Sequence, residues 1–231
     1  MTALPPPNHF DQQNAASYDD RWAPLAPLRD SLHLQIAMVF RDLPAASHVL
    51  CVGAGTGAEV LALARFYPNW RFTVVEPSAP MLDVCRSKSA DAGIADRCTF
   101  HRGFVNDLPP SEPFDAATTL LVSHFITNRT QRTAFFQEIA SRLRSGGLLV
   151  TADLTTAPAS RQEALFASWQ QLLRHAGATA EQIDALRETY RREVALLPEA
   201  ELEALLIDAG FIQPVRFSQS LLIHAWFARR A

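Results

Sequence analysis

The sequence predicts an α/β protein built around a doubly wound, mostly parallel β-sheet. From residue 49 to residue 152, short apolar runs of strand length alternate with segments whose apolar residues recur at helical spacing. Short turns separate these segments, which favours right-handed crossovers between parallel strands. Two later strand-like runs, 213–218 and 221–227, lie too close together for a helical crossover and are therefore expected to form an antiparallel hairpin.

The predicted elements follow one another in a regular order. Residues 15–40 carry leucines and aromatic residues at helical spacing and are expected to form a helical lead-in. The alternating region predicts strands at 49–52, 71–75, 98–102, 115–121 and 148–152, and helices at 59–66, 80–90 and 130–143. A last helix, 199–209, is expected to end at Gly210, just before the hairpin.

The alternation stops between residues 153 and 196. Two helical patterns, 161–175 and 180–192, occupy this stretch instead. An insertion after the carboxyl end of a strand lies where open α/β sheets bind ligands. We therefore expect residues 155–196, which we call the lid, to cover the binding site and select the substrate.

The chain length allows one domain with one core, since 231 residues are few for two complete domains. We divide this single domain, 1–231, into the lead-in, a cofactor-binding core, the lid, and a closing helix with its hairpin. The bounds of these parts are 1–46, 47–154, 155–196 and 197–231.

The composition argues against several classes of partner. With 19% charged residues and a net charge of -3, the chain lacks the basic excess that binding to nucleic acid relies on. Neither a signal-peptide pattern at the start nor a run of about 18 apolar residues is present, so we expect a cytoplasmic protein without membrane contact. Cys51, Cys85 and Cys98 are widely spaced and odd in number, which indicates neither a disulfide framework nor a metal site. We expect Cys51 and Cys85 to be buried, reduced thiols.

A glycine-rich turn follows the first predicted strand. Gly53, Ala54, Gly55 and Gly57 lie between an apolar run and a helical pattern. Glycine lets backbone N–H groups approach a ligand that a Cβ would hold away, and the following helix dipole favours negative charge there. Tight packing is the alternative explanation of such a turn.

Glu76 ends the next predicted strand. A carboxylate at this place can accept hydrogen bonds from both hydroxyl groups of a ribose, so together with the glycines it predicts a nucleoside site. The helix entry that follows, with Pro77 and Met81, is expected to bring Met81 over the same pocket. A solvated Glu76 and a core position for Met81 are the alternatives.

Four segments in this order and spacing resemble the class I S-adenosylmethionine-dependent methyltransferases, a Rossmann-like family of small-molecule methylating enzymes. They are Val-Gly-Ala-Gly-Thr-Gly at 52–57, Val-Glu-Pro-Ser-Ala-Pro-Met-Leu at 75–82, Phe-Asp-Ala-Ala-Thr-Thr-Leu-Leu at 114–121 and Leu-Arg-Ser-Gly-Gly-Leu-Leu-Val at 143–150. The resemblance implies a transferase that uses S-adenosylmethionine, releases S-adenosylhomocysteine, and methylates a small-molecule acceptor by in-line displacement without a metal.

The resemblance also assigns roles to individual residues. The glycine turn would contact the methionine part and the ribose, and Glu76 the ribose hydroxyls. Phe104 and Val105 would flank the adenine, whereas the backbone near Leu120 and Leu121 would hold the amino acid end.

The same resemblance assigns further residues to the cofactor cover and to the acceptor side. Tyr18 resembles an aromatic residue that folds over the cofactor, and packing in a helix is its alternative. Ser123 and Phe125 would face the methyl group or the substrate.

Two positions depart from the family pattern. Cys51 stands where an acidic residue usually precedes the glycines, and Phe104 stands where an Asp usually follows Gly103. Stacking by Phe104, or a hydrogen bond from Asp107, could replace the missing contact.

His124 is the candidate general base, because it follows the fourth predicted strand and imidazole titrates near neutral pH. A hydrogen-bonded packing histidine is the alternative. In the lid, Phe166, Trp169 and Tyr190 could form an apolar acceptor pocket or simply a core. Three arginines could hold a carboxylate or phosphate or lie on a solvated face; they are Arg187, Arg191 and Arg192.

Other functions remain open at this point. The turn from Gly53 to Ala58 also fits a dinucleotide pattern, so an NAD(P)-dependent oxidoreductase is one alternative, although the lead-in and the hairpin disfavour it. The layout is also similar to carboxy-S-adenosylmethionine synthases, but Glu188 replaces the arginine that this chemistry needs. The departures at Cys51 and Phe104 make a non-catalytic S-adenosylmethionine-binding module a third alternative. Exposed lead-in or lid helices could form a homodimer.

Overall fold

A computed structural model describes residues 12–231; residues 1–11, which belong to the predicted lead-in, and the side chains of residues 12–14 and 16 lie outside the description. The strands are β1 His48–Val52, β2 Arg71–Glu76, β3 Cys98–Arg102, β4 Phe114–Leu120, β5 Leu143–Thr156, β6 Leu197–Pro198, β7 Phe211–Ser220 and β8 Ile223–Arg230. The helices are α1 Gln12–Trp22, α2 Ala26–Val39, α3 Ala58–Phe66, α4 Ala79–Asp91, α5 Arg129–Arg142, α6 Ala159–His175, α7 Ala180–Glu193 and α8 Glu199–Asp208.

The strands form one sheet in the order β3-β2-β1-β4-β5-β8-β7, with β6 paired to β5 outside this order. Strands β1 to β5 are parallel, and β8 runs antiparallel to both β5 and β7. The chain moves outward from β1 to β3 and then returns to β4 on the other side of β1. This reversal creates the crevice at the carboxyl ends of β1 and β4 in which such sheets bind ligands. The prediction of the fold class is confirmed.

The lead-in is two helices rather than one continuous helix. A short 3₁₀ turn, Ala23–Leu25, separates α1 from α2. Pro24 and Pro27 lack the backbone N–H groups that an unbroken helix would need, so the chain changes direction here.

Helices cover both faces of the sheet, and the strand residues alternate between two cores. In β1, Val49 and Cys51 face a cluster with α2, α3 and α4, whereas Leu50 and Val52 face a cluster with α5 and α8. Burial on both faces explains why the sequence of β1 is a continuous apolar run. Cys51 and Cys85 are buried as expected, and Cys98 is half-buried.

The lid has a hydrophobic core of its own. Phe166 and Trp169 of α6 pack with Ile183 and Leu186 of α7, and Leu154 at the end of β5 connects this cluster to the sheet. The α7 helix begins in a capping box between Thr179 and Gln182, which satisfies its first N–H groups. The lid is therefore an ordered layer above the carboxyl edge of the sheet.

Several boundaries differ from the predictions. Strand β4 ends at Leu120, one residue earlier than predicted, and β5 runs from Leu143 to Thr156 instead of covering only 148–152. The extra length of β5 is paired: Leu143 lies beside β4, and Thr155 and Thr156 lie beside β6. Within residues 12–231, no helix is long and apolar enough to cross a membrane.

Candidate functional site

At Gly53 and Gly57 the glycine turn packs so closely on its neighbours that a side chain would not fit. Gly53 and Gly57 have φ angles of +69° and +82°, and Gly55 has +55°, a region that L-residues rarely adopt. A Cβ on Gly53 would lie 2.5 Å from Cγ2 of Val122, and a Cβ on Gly57 would collide with Sγ of Cys85. The turn is thus held against both the segment after β4 and helix α4.

Glu76 meets this turn directly. Its Oε2 accepts a hydrogen bond from the backbone N–H of Gly55 at 2.9 Å, and its Oε1 accepts one from the N–H of Ser78 at 2.9 Å. The side chain is buried, and burial raises the pKa of the Glu76 carboxyl although the two N–H groups oppose the shift. The structure therefore brings together the glycine and the carboxylate that the sequence singled out.

Helix α1 is attached to the rim of the same crevice. Asp19 accepts a hydrogen bond from Oγ1 of Thr56 at 2.8 Å, and it pairs with Nζ of Lys88 at 2.8 Å. The adjacent Tyr18 lies close to Glu76: burial raises the pKa of the phenol most, and the charges of Asp19 and Glu76 raise it further. Asp19 was not singled out from the sequence, although it follows the aromatic residue that was.

Met81 lies directly beneath the turn. Its Cε would be 3.5 Å from a Cβ on Gly55, and the residue is almost fully buried. Ser78 caps α4 by accepting a hydrogen bond from the N–H of Met81 at 3.4 Å, and the half-buried Pro77 links this cap to β2. Met81 thus belongs both to the core and to the floor of the crevice.

The predicted adenine-side residues differ in their surroundings. Val105 is buried in the core beside β1 and β2, whereas Phe104 is half-buried. Asp107 is paired with His101, with 2.5 Å between Oδ1 and Nε2, and both side chains crowd against Gly103. Because Asp107 already has this partner, Phe104 is the more available of the two proposed replacements.

The backbone bends sharply where β4 ends. Leu121 has a φ of +59°, and its N–H donates to the carbonyl of Ala152 at 2.7 Å. Positive φ in a bulky residue is strained, and such strain is concentrated at ligand sites. The bend follows Leu120 and delivers Val122 onto Gly53, so the end of β4 and the glycine turn share one wall.

A carboxylate missed by the sequence reasoning lies beside Cys51. Glu59, in the first turn of α3, is buried, and its Oε1 accepts a hydrogen bond from Oγ1 of Thr118 at 2.8 Å. Cys51 forms a hydrogen bond with the same carboxyl group. Burial raises the pKa of the Glu59 carboxyl to about 7. A carboxyl group from the helix thus lies beside position 51, and its signal in the sequence was a lone acid in an otherwise apolar first turn.

His124 is bound to a buried carboxylate at the end of β5. Oδ1 of Asp153 accepts a hydrogen bond from the His124 backbone N–H at 2.9 Å and lies 3.1 Å from the ring Nδ1. Ser123 donates its hydroxyl to Oδ2 at 2.7 Å. Burial opposes ionisation, but His124, Arg132 and Ser123 together hold the pKa of Asp153 below its usual range. The acid at the end of a buried strand was a detectable signal, as it was for Glu76.

The lid contains a cavity of about 370 Å³ between α6 and α7. Phe166 and Tyr190 line it with their rings edge to face, and the Arg187 guanidinium lies 4.0 Å above the Phe166 ring while pairing with Glu163. Trp169 is packed in the lid core and donates its Nε1–H to the Tyr190 hydroxyl at 2.7 Å. The aromatic residues and Arg187 therefore lie together in the lid.

The other two lid arginines have acidic neighbours on the same helix. Arg191 pairs with Glu188, and Arg192 pairs with Glu193. Arg191 also lines the lid cavity, and the side chains of both arginines are largely exposed.

Comparison with known proteins identifies the core. Residues 49–147 match the family described as "Methyltransferase domain". Over these residues the chain is similar to methyltransferase domains. This similarity supports the family predicted from the sequence, and with it S-adenosylmethionine as cofactor. The matched region includes the glycine turn, Glu76 and His124.

Individual relatives of this methyltransferase domain cover different parts of it. Aclacinomycin 10-hydroxylase RdmB from Streptomyces purpurascens is 35% identical over 115 residues, which are 48% of this chain and 29% of RdmB. Mitomycin 7-O-methyltransferase MmcR has a TM-score of 0.70 at 20% identity, over 96% of this chain and 59% of MmcR. An O-methyltransferase family 2 protein from Planctomyces limnophilus, solved with apigenin, has a TM-score of 0.64 at 19% identity, over 97% and 63%. The chain thus spans only part of the length of these relatives.

The crevice fits the cofactor that the methyltransferase domain implies. The glycine turn forms a cradle that side chains would fill. The Glu76 carboxylate lies beside this cradle and accepts a hydrogen bond from the N–H of Gly55. A carboxylate has about four acceptor positions, so two backbone N–H groups leave capacity for ribose hydroxyls.

Proposed function

We propose that this methyltransferase domain transfers the methyl group of S-adenosylmethionine to a hydroxyl group of a small molecule held beneath the lid. The observation that carries the proposal is the hydrogen bond between Gly55 and Glu76, which joins the two parts of a nucleoside site at the carboxyl edge of the sheet. S-adenosylhomocysteine would be the product left in the crevice.

The residues of the crevice would hold the cofactor in the following way. Glu76 would accept hydrogen bonds from the ribose hydroxyls, and the backbone from Gly53 to Gly57 would pass close to the ribose and the methionine part. Met81 and Phe104 would lie against the adenine. Tyr18 on α1 would cover the site, since Asp19 fastens that helix to Thr56. When bound, S-adenosylmethionine supplies a methyl group on a positively charged sulfur that is already activated for displacement.

His124 would act as the general base that removes the hydroxyl proton. In the tautomer whose Nδ1–H donates to Asp153, rather than the one whose Nδ1 accepts from the N–H of Leu154 at 3.4 Å, Nε2 is unprotonated and able to accept a proton. Asp153 then stabilises the imidazolium that forms, the role that an orienting carboxylate has beside other catalytic histidines. His124 is only 2% exposed, so the acceptor would reach it after the lid opens.

The acceptor would bind through the aromatic side of the lid. Phe166 and Tyr190 offer apolar ring surfaces, and Arg187 can be drawn from Glu163 toward an anionic group. These features favour a planar, aromatic acceptor. The neighbour from Planctomyces limnophilus was solved with apigenin, which agrees with this chemistry.

Labelled S-adenosylmethionine tests the proposal. The wild-type protein should move an isotopically labelled methyl group to a phenolic acceptor and should bind S-adenosylhomocysteine but not NADH in a calorimetric titration. Gly55→Val should abolish both activities, because the new side chain fills the cradle above Met81. Gly93→Val is the matched control, since Gly93 also has a positive φ but faces open space. Label that stays on the cofactor with every acceptor tried would contradict the proposal.

The relationship to RdmB supports a second candidate function. That relative is named a hydroxylase, so hydroxylation of a small molecule is the second candidate reaction for this chain. Mass spectrometry of the converted acceptor, in assays supplied with molecular oxygen and a two-electron reductant, distinguishes the two reactions, because methylation adds one CH₂ and hydroxylation adds one oxygen atom. A product heavier by one oxygen, with the cofactor methyl retained, would favour the second candidate.

A further inference from the structure

Arg132 is a fully buried charged side chain to which the sequence assigned no role. It lies in α5 with 1% of its surface exposed. Its Nε donates to Oγ of Ser123 at 2.9 Å, its Nη1 donates to the carbonyl of Ala195 at 2.9 Å, and its Nη2 lies 3.5 Å from Oδ1 of Asp153. One guanidinium therefore contacts the turn that carries His124, the end of β5 and the end of the lid.

The contact with the lid is doubled by the backbone. The N–H of Ala195 donates to the carbonyl of His124 at 2.7 Å, so the residue held by Arg132 also binds the candidate base. Ala195 lies two residues after the end of α7 and is one of the last residues of the lid. Movement at the end of the lid would therefore disturb the positions of both Arg132 and His124.

The charge of Arg132 helps to balance the buried charge of Asp153. An isolated ion in such surroundings is very unfavourable, and removal of one member of a buried pair leaves the other uncompensated. Burial lowers the pKa of Arg132, and the neighbouring Asp153 opposes that shift. The pair thus keeps Asp153 ionised without requiring His124 to carry a positive charge.

We propose that Arg132 is a positioning residue for methyl transfer: it holds Asp153 ionised and oriented toward His124, and it fastens the end of the lid to the turn that carries this base. The inference rests on the proposed function, since it assumes that His124 accepts the hydroxyl proton. A purely structural Arg132 would affect stability alone, whereas a positioning residue affects the pH at which His124 works.

The polar groups around Asp153 allow a clear expectation. His124 and Ser123 face it from the turn, Arg132 from α5 and the Thr151 hydroxyl from β5 itself. His224 is its register partner on β8, and burial, with a smaller effect of Arg216, lowers the pKa of His224 to about 4, so that ring stays neutral near neutral pH. With the Arg132 charge removed, Asp153 would be balanced by a protonated His124.

The experiment compares Arg132→Met and Arg132→Lys with Arg129→Met, a control at an exposed arginine on the first turn of the same helix. In Arg132→Met, the acid limb of kcat/KM should move to higher pH by about one unit, with KM for S-adenosylmethionine unchanged. Arg132→Lys keeps the charge but not the fork that reaches Ser123 and Ala195, so kcat should fall while the acid limb stays in place. Arg129→Met should leave both quantities unchanged.

Two further measurements keep the test decisive. If Arg132→Met does not fold, the double variant Arg132→Met with Asp153→Asn removes both charges, and it should fold with low kcat and no upward shift of the limb. If the wild-type protein transfers no methyl group, the proposed function fails, but the pH at which the His124 ring resonance titrates still reports on Arg132. An upward move of that titration in Arg132→Met, together with faster hydrogen exchange of the Ala195 amide, supports the proposal. An unchanged titration and unchanged exchange overturn it.

Discussion

The backbone N–H of Gly55 donates to Oε2 of Glu76 across 2.9 Å, between the carboxyl ends of two adjacent parallel strands. Gly55 has a φ of +55°, a backbone conformation that favours glycine, and the carboxylate beside it is buried. It links the conformation of the glycine turn to the group proposed to bind ribose. A substitution at either residue should therefore alter the conformation of the other.

The fit between Gly53 and Val122 predicts a specific loss of stability. A Cβ at residue 53 would lie 2.5 Å from Val122 Cγ2, so Gly53→Ala should destabilise the protein by about 1–3 kcal/mol more than Gly93→Ala, measured by urea unfolding. Both glycines have positive φ, and Gly93 has no atom within 4 Å of its added Cβ. Combining Gly53→Ala with Val122→Ala should recover part of the loss. Equal destabilisation by the two single substitutions would show that the contact is unimportant.

Glu59 predicts a pH-dependent stability. Its pKa is raised from 4.5 to about 7 in the folded protein, so the folded state binds the proton more tightly than the unfolded state does. The contribution of Glu59 to the free energy of unfolding should be fully present below its ordinary pKa of 4.5. It should be lost, by roughly 3 kcal/mol, as the pH rises through the raised pKa of about 7. Glu59→Gln keeps an acceptor for Thr118 but cannot ionise, so its unfolding free energy should lose this slope. The exposed Glu201→Gln is the control, and a slope that survives in Glu59→Gln would contradict the assignment.

His124 predicts a separation between binding and catalysis. His124→Asn should lower kcat by about 10²–10⁴-fold, because the general base is lost while the crevice around Glu76 is unchanged. Its affinity for S-adenosylhomocysteine, measured by calorimetry, should match that of the wild type. His175→Asn, at the end of α6, is a control on a histidine far along the lid. A kcat within a few-fold of the wild type would assign His124 to packing instead.

The fold, and the approach of the glycine turn to Glu76, were largely predictable from the sequence. Strand-length apolar runs, the glycines and the terminal Glu76 are local signals, and parallel topology brings them to one edge of the sheet. Pro24 was also a local signal for the break in the lead-in, although the helical spacing of the surrounding apolar residues concealed it.

The polar networks were not predictable because they depend on residues far apart in the chain. Glu59 reaches Thr118, Asp19 reaches both Thr56 and Lys88, and Arg132 reaches Ala195. Each side chain resembles an ordinary surface residue of a helix until the neighbouring element is placed against it. Periodicity gives the face of a helix but not the partner that a buried charge will find.

The most direct test of the central claim is a calorimetric titration of S-adenosylhomocysteine into the wild-type protein and into Glu76→Gln. The wild type should bind, and the substitution should weaken binding about 10- to 100-fold, because the neutral amide is a poorer acceptor for two ribose hydroxyls and for Gly55. Equal affinity of the two proteins, or no binding by a folded wild type, would contradict the account.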